Sequence, residues 1–174
     1  TGQSRIDLAH YDRSRRITAL RLNRSALANP RALEAIAKAD LIVLGPGDLF
    51  GSVIANLIVD GIASAISASR AKVLFVCNLM TKRGETQGFT VGDYVRTLHQ
   101  YLGKRAIDFV LYSQSRPRVA VKAAYAREGA DPVKFIPVPL DSVQPTYFRA
   151  SLAAHGNLLH HDPNKLARAI WSVL

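Results

Sequence analysis

Three short runs of the chain, DLIVL, AKVLFVC and IDFVLYS, are apolar at consecutive rather than alternate positions. A strand with one wet face alternates in polarity; a strand whose neighbouring side chains all avoid water must be covered on both sides. Between the runs lie segments with apolar residues at helical spacing, such as SVIANLIV, where Val53, Ile54, Leu57 and Ile58 fall on one face. Buried strands alternating with amphipathic helices restrict the fold to the α/β class, with a mainly parallel sheet and helices on both faces.

Boundary signals complete the outline. RITALRL (16–22) alternates and reads as a first strand, and Asn29 then Pro30 supply an N-cap and first helical residue for PRALEAIAKA. Asp60 is placed to cap GIASAISAS. Thr90 and Asp93 occupy capping-box positions for TVGDYVRTLHQYLG, which Gly103 ends. PRVAVKAAYAREGA reads as a helix opened by Pro117 and closed at Gly129, and VKFIPVPL as a strand or extended edge limited by Pro137 and Pro139. Asp162 and Pro163 open the last helix.

With 174 residues, 48% of them hydrophobic, the chain can bury a real core, and residues 1–174 read as one α/β domain. The single Cys77 sits inside an apolar run and reads as a small buried hydrophobe in a reducing, cytoplasmic setting. The N-terminal TGQSRIDLAHYDRSRR lacks the apolar centre of a signal peptide, and the longest apolar stretch is broken by Asn56, Asp60 and Gly61, so no membrane role is indicated. Lys and Arg total 23 against 13 Asp and Glu, a net +10 that favours anionic partners. No RNP-like aromatic motif, zinc-finger spacing or lysine-rich tail points to nucleic acid, which leaves a phosphate-bearing small molecule as the partner expected, with an acidic protein surface met by the Arg-rich N-terminal stretch as the alternative.

Two loops leave strand ends with more chemistry than connection requires. NLMTKRGETQGF (78–89) spends twelve residues where a strand-to-helix link takes about 2 to 6. Its Asn78, Thr81, Glu85 and Thr86 offer donors and acceptors to a polyhydroxylated or heteroaromatic ligand, and Lys82 and Arg83 offer charge to phosphate. GPGDLFGS carries Gly45, Pro46 and Gly47 but matches neither the dinucleotide pattern G-x-G-x-x-G nor the Walker pattern. Its small residues admit close backbone approach, whereas the Asp48 carboxylate repels phosphate and serves either as a helix cap or as an acceptor for sugar hydroxyls. In parallel sheets ligands collect beyond the carboxyl ends of the strands, so these two loops are expected to face one crevice.

No H-x-x-x-H, C-x-x-C or G-x-S-x-G pattern marks a catalytic or metal centre, and the adjacent side chains of His160, His161 and Asp162 diverge.

ADLIVLGPGDLFGSVIANLIVDGIASAI, KVLFVCNLMTKRGETQGFTVGDYV and the terminal HDPNKLARAI together resemble the YvcK-like family of gluconeogenesis factors, grouped with the CofD-like 2-phospho-L-lactate transferases. The NLMT-x-x-GET block carries most of the resemblance. It implies a Rossmann-like three-layer α/β/α fold, a cytoplasmic setting, a homo-oligomer, and binding of a UDP-sugar or an NAD-like dinucleotide, linked to carbon metabolism and to cell shape and wall control. The transferase branch implies instead a metal-dependent enzyme, using Mg, that acts on a deazaflavin precursor. Asn78, Leu79, Met80 and Thr81 match the regulator-type block.

Gly45, Pro46 and Gly47 match the family's turn, while Asp48, Phe50 and Gly51 stand where Ser, Tyr and Thr are usual. The resemblance places Tyr125 against a nucleotide sugar, and puts His160 where an Arg ordinarily precedes a His-Asp pair. Family members begin with a glycine-rich strand-loop-helix that this chain lacks. The resemblance therefore implies the C-terminal part of a longer domain, with the missing N-terminal portion as a partner.

Overall fold

In the computed structural model of the chain, which describes residues 16–103, 107–113, 119–137, 139, 144–154 and 160–173, four strands lie side by side in chain order, all parallel. They are β1 (Leu41–Leu44), β2 (Lys72–Val76), β3 (Phe109–Tyr112) and β4 (Thr146–Arg149). Val43 pairs with Leu74, Phe75 with Val110 and Leu111 with Phe148, so one register runs across the sheet. No helix among the described residues is long and apolar enough to cross a membrane.

Stepping in one direction from β1 to β4 with right-handed crossovers puts the connecting helices on a single face. That face holds the larger core. Val73, Phe75, Val110 and Tyr112 meet Ile54 and Leu57 from the segment after β1, Ile66 from α3 (Ile62–Ala68), and Tyr94, Val95 and Leu98 from α4 (Val91–Leu102). Ile36 of α1 (Pro30–Lys38) packs against its margin. The opposite face carries Leu74, Val76 and Leu111 under Leu152 and α6 (Pro163–Trp171), which contributes Leu166, Ala169 and Ile170. The consecutive apolar positions of β2 are thus explained, since odd and even side chains enter different cores, and the expected three-layer α/β/α order is present. Each fully buried Leu or Phe here contributes about 1.5–3 kcal/mol.

Local capping follows the sequence where the signal is local. The Asn29 side chain accepts from Arg31 N, Asp162 accepts from Asn164 N and Lys165 N, and Gly103 ends α4 at φ +65°. Thr90 and Asp93 form the reciprocal capping box. Burial alone would raise the Asp93 pKa, but hydrogen bonds from the Thr90 amide and hydroxyl, together with the Arg96 guanidinium, hold it below the ordinary 3.8. A depressed carboxyl pKa contributes stability that is complete above the unfolded value and lost as the pH falls through the folded one. Thr90→Ala should therefore cost about 1 kcal/mol near neutrality. The deficit relative to the parent should shrink below pH 3.8, as read by urea titration across pH; a pH-independent deficit would discard the linkage.

Three expectations need correction. Residues 16–22 form no strand; they run as an extended strap whose Ile17 and Leu20 pack on the core, with Leu20 N donating to the Tyr101 hydroxyl at 2.8 Å. The two inward residues stand three apart, not two, and Ala19 and Leu22 are exposed, so the pattern marked no strand face. Asp60 does not cap α3: Gly61 stands at the N-cap with φ +100°, and the Asp60 carboxylate accepts from the Ser25 hydroxyl instead. Among the described residues of VKFIPVPL (133–140) a single bridge forms, Lys134 with Thr90, next to one from the preceding Pro132 to Met80, and the fourth strand is the later TYFR. Of the helix expected over 117–129, α5 (Val119–Arg127) is described and Gly129 follows it at φ +72°; the opening at Pro117 lies outside the described residues.

Candidate functional site

Both singled-out loops leave the carboxyl ends of adjacent strands, GPGD from β1 and NLMTKRGET from β2. Beyond β1 the chain turns through Gly45, whose φ of +84° and whose closeness to the Val76 carbonyl leave no room for a side chain; a Cβ there would lie 2.9 Å from that oxygen. The Gly45–Pro46 peptide is cis. Leu49–Ile54 then winds as a π-helical segment into the short α2 (Ala55–Leu57), with the Asp48 carbonyl accepting from both Ser52 N and Val53 N. Such π-turns recur at functional sites. The Asp48 side chain makes no capping bond, which leaves it for other work.

That work is a bridge between loops. Lys82 Nζ lies 2.6 Å from Asp48 Oδ2 and 2.7 Å from Glu85 Oε1, and Asn78 Nδ2 donates to the Gly47 carbonyl at 2.9 Å. The Glu85 side chain is only 2% exposed, whereas Lys82 and Asp48 are 37% and 38% exposed, so the ammonium joins a buried carboxylate to a half-exposed one.

Inside the 78–89 loop, Lys82 N donates to Thr86 Oγ1 and Thr86 N to the Lys82 carbonyl, closing a turn that the buried Tyr94 hydroxyl braces by donating to the same Thr86 oxygen at 3.0 Å. Burial pushes the Tyr94 phenol well above its usual range, so it remains a donor. Thr81 N donates to the Asp131 carbonyl, and Asp131 N returns a bond to Thr81 Oγ1. Much of the loop's polarity thus holds its own shape.

Between the loops opens a cavity of about 910 Å³, within the range of ligand sites. Of the residues singled out from sequence, Pro46, Gly47, Asp48, Asn78, Thr81, Glu85, Thr86 and Tyr125 line it together. Gly45 and His160 are not among the lining residues; Gly45 shapes the turn behind it, and His160 is exposed beside it. Its neighbour His161 does line the cavity, as do Arg83, Arg127 and Glu128. His161 sits in an extended pairing with Ala153, where adjacent side chains take opposite sides, so strand parity was the signal that distinguishes it from His160. Burial lowers the His161 pKa, the Cys77 carbonyl opposes that shift, and His160 adds to it, so the imidazole is neutral near pH 7.

Arg127 and Glu128 follow Tyr125 at the end of α5, within one helical turn of it. The Arg83 side chain lies against Gly129, where a Cβ would fall 2.5 Å from Arg83 Cδ. Cys77, 1% exposed and with its thiol pKa raised by burial, belongs to the core below the site. Among the described residues no group of three or more His, Cys, Asp or Glu is arranged to hold a metal ion.

A doubly covered parallel sheet with a polar cavity between the first two carboxyl-end loops defines an α/β protein of the ligand-cleft type. The chain belongs to the 2-phospho-L-lactate transferase CofD family, whose pattern matches residues 1–146. Among curated relatives it is 43% identical over 162 residues to a putative gluconeogenesis factor of Thermotoga maritima, covering 89% of this chain and 50% of that protein. It is 38% identical over 143 residues to the gluconeogenesis factor of Halalkalibacterium halodurans, covering 79% and 43%. A crystal structure of a Bacillus halodurans protein superposes with a TM-score of 0.87 at 34% identity, over 98% of this chain and 54% of the other. A second, described as a member of the UPF0052 family, gives 0.78 at 36% identity, over 83% and 47%. The chain spans about half the length of these relatives.

Proposed function

We propose that the chain contributes one wall of a binding site for a sugar nucleotide of the UDP-sugar type, or an NAD-like dinucleotide, in a regulatory protein of the gluconeogenesis-factor kind. The observation that carries this reading is the convergence of both carboxyl-end loops on one cavity, linked by the Asn78 to Gly47 hydrogen bond. Tyr125 offers a ring face to a sugar or base, and Asp48 accepts from hydroxyls while Lys82 fixes its orientation. With Lys82 engaged by two carboxylates, diphosphate contacts fall to Arg83 and Arg127. The setting is cytoplasmic, the assembly a homo-oligomer completed by the N-terminal portion of the family domain, and the role is in carbon metabolism and the control of cell shape and wall.

The family match also supports a transferase reading, in which the same cavity takes a deazaflavin precursor with Mg. The described residues do not fit a metal, because the Lys82 ammonium stands where the Asp48 and Glu85 oxygens meet. Titration calorimetry with UDP-N-acetylglucosamine, on this chain alone and mixed with the N-terminal portion, with and without Mg, tests both readings. Saturable binding without turnover is the expected result. Product formation that requires Mg would transfer the site to the enzyme reading, and absence of binding in every mixture would remove the nucleotide reading.

A further inference from the structure

Behind the 78–89 loop lies a second cleft, of about 610 Å³. Phe89 and Val133, 9% and 6% exposed, form part of its apolar wall with Phe135. Phe135 stacks on Tyr112 with ring centroids 4.3 Å apart at 10°, and meets Tyr147 edge-on at 5.3 Å, so its ring is fixed as a flat surface. Lys122 and Lys134 stand exposed at the rim, and neither side chain makes an ion pair or hydrogen bond with another described residue. The exposed Gly88 adds an amide outside the described hydrogen-bond network, at φ +75° in open space. Among the described lining residues one carboxylate, Asp131, faces these two cations.

We propose that this cleft is a second ligand site, for a small planar organic anion: a phosphate ester or carboxylate carried on an aromatic body. The chemistry of the two halves requires both parts of such a molecule. The half-buried Phe135 ring gains from covering by a flat apolar body, while two cations without partners among the described residues gain from an anion through charge-assisted bonds. A free inorganic anion would leave the Phe135 ring wet, and a neutral aromatic would leave the lysines without an anion. Thr81 lines both cavities, and its paired bonds with Asp131, 2.7 and 2.9 Å, make the partition between them. The site is independent of whatever fills the first cavity.

The test is a titration of the ¹⁵N-labelled chain with phenyl phosphate, alongside inorganic phosphate and benzyl alcohol. Expected are saturable amide shifts at Gly88, Phe89, Thr90, Val133 and Phe135, with phenyl phosphate binding about tenfold or more tightly than either fragment. Lys122→Gln with Lys134→Gln should weaken it about tenfold or more, the loss of charge-assisted contacts, while leaving the rest of the spectrum in place. Lack of saturation, equal affinity in the double variant, or shifts confined to Gly47 and Asn78 would each overturn the second site. None of these readings depends on a nucleotide, so failure here leaves the first cavity's assignment standing.

Discussion

Lys82→Met should lower the melting temperature by about 6–12 °C, the equivalent of roughly 3 kcal/mol for a domain of this size. The reason is asymmetry of burial. Asp48 can turn to water when the ammonium is lost, but Glu85, 2% exposed, cannot, and a buried carboxylate stripped of its counter-ion is costly. The lower end of the usual 3–5 kcal/mol range applies because Lys82 itself is 37% exposed and partly screened. Two companion variants locate the effect. Lys82→Met combined with Glu85→Gln should recover most of the loss, and Asp48→Asn alone should cost about 1 kcal/mol or less, as half-exposed pairs do. If the double variant melts no higher than Lys82→Met, the buried carboxylate is not the cause. The same numbers bear on function: Glu85→Ala and Thr86→Ala, which sequence alone would nominate as ligand contacts, should also loosen the loop, since Thr86 is 2% exposed and bonded to both Lys82 and Tyr94.

Gly45→Ala should have the second large effect, about 2–3 kcal/mol, combining a left-handed backbone that an alanine adopts only under strain with a collision. The Cβ would meet the Val76 carbonyl at 2.9 Å, and that oxygen belongs to the end of β2, where it cannot withdraw without moving the strand. Gly88→Ala is the control, because Gly88 has a similar φ of +75° with nothing within 4 Å of a new Cβ. The difference in urea midpoint between the two variants isolates the collision from the strain. Equal losses would mean that the close approach of β1's turn to β2 contributes nothing.

The sequence was informative wherever the governing interaction is short-ranged. Asn29 with Pro30, Thr90 with Asp93, and Asp162 with Pro163 act within a single turn, so residue identity at fixed spacing determines the outcome. Continuous apolarity in AKVLFVC likewise reports two cores, because the pleat allows no other reading. Failures came where a distant partner decides. TYFR is a four-residue strand whose place is set by β3; the prolines of VKFIPVPL weigh against that segment, but a run as short as TYFR carries no signal of its own that selects it. Asp60 had the right chemistry for a cap, but its carboxylate is taken by the Ser25 hydroxyl 35 residues away and Gly61 stands at the cap position. At the site, Asp48, Asn78, Thr81 and Tyr125 were legible as polar or aromatic residues in over-long loops and a family-like helix. The Lys82 bridge was not, since its two carboxylates stand 34 and 3 residues away, and charge type alone cannot say which anion a lysine will meet.

The bridging lysine also changes how the cavity presents itself to the surrounding solution. Its walls hold Lys82, Arg83 and Arg127 against Asp48, Glu85 and Glu128, so a chain with a formal excess of ten positive charges keeps a local balance where the loops meet. For the anionic ligand proposed above, the net charge of the whole chain would supply the long-range attraction while the balanced lining leaves selection to fit. The rate of capture should therefore fall between dilute buffer and physiological salt more than the strength of the final contacts does.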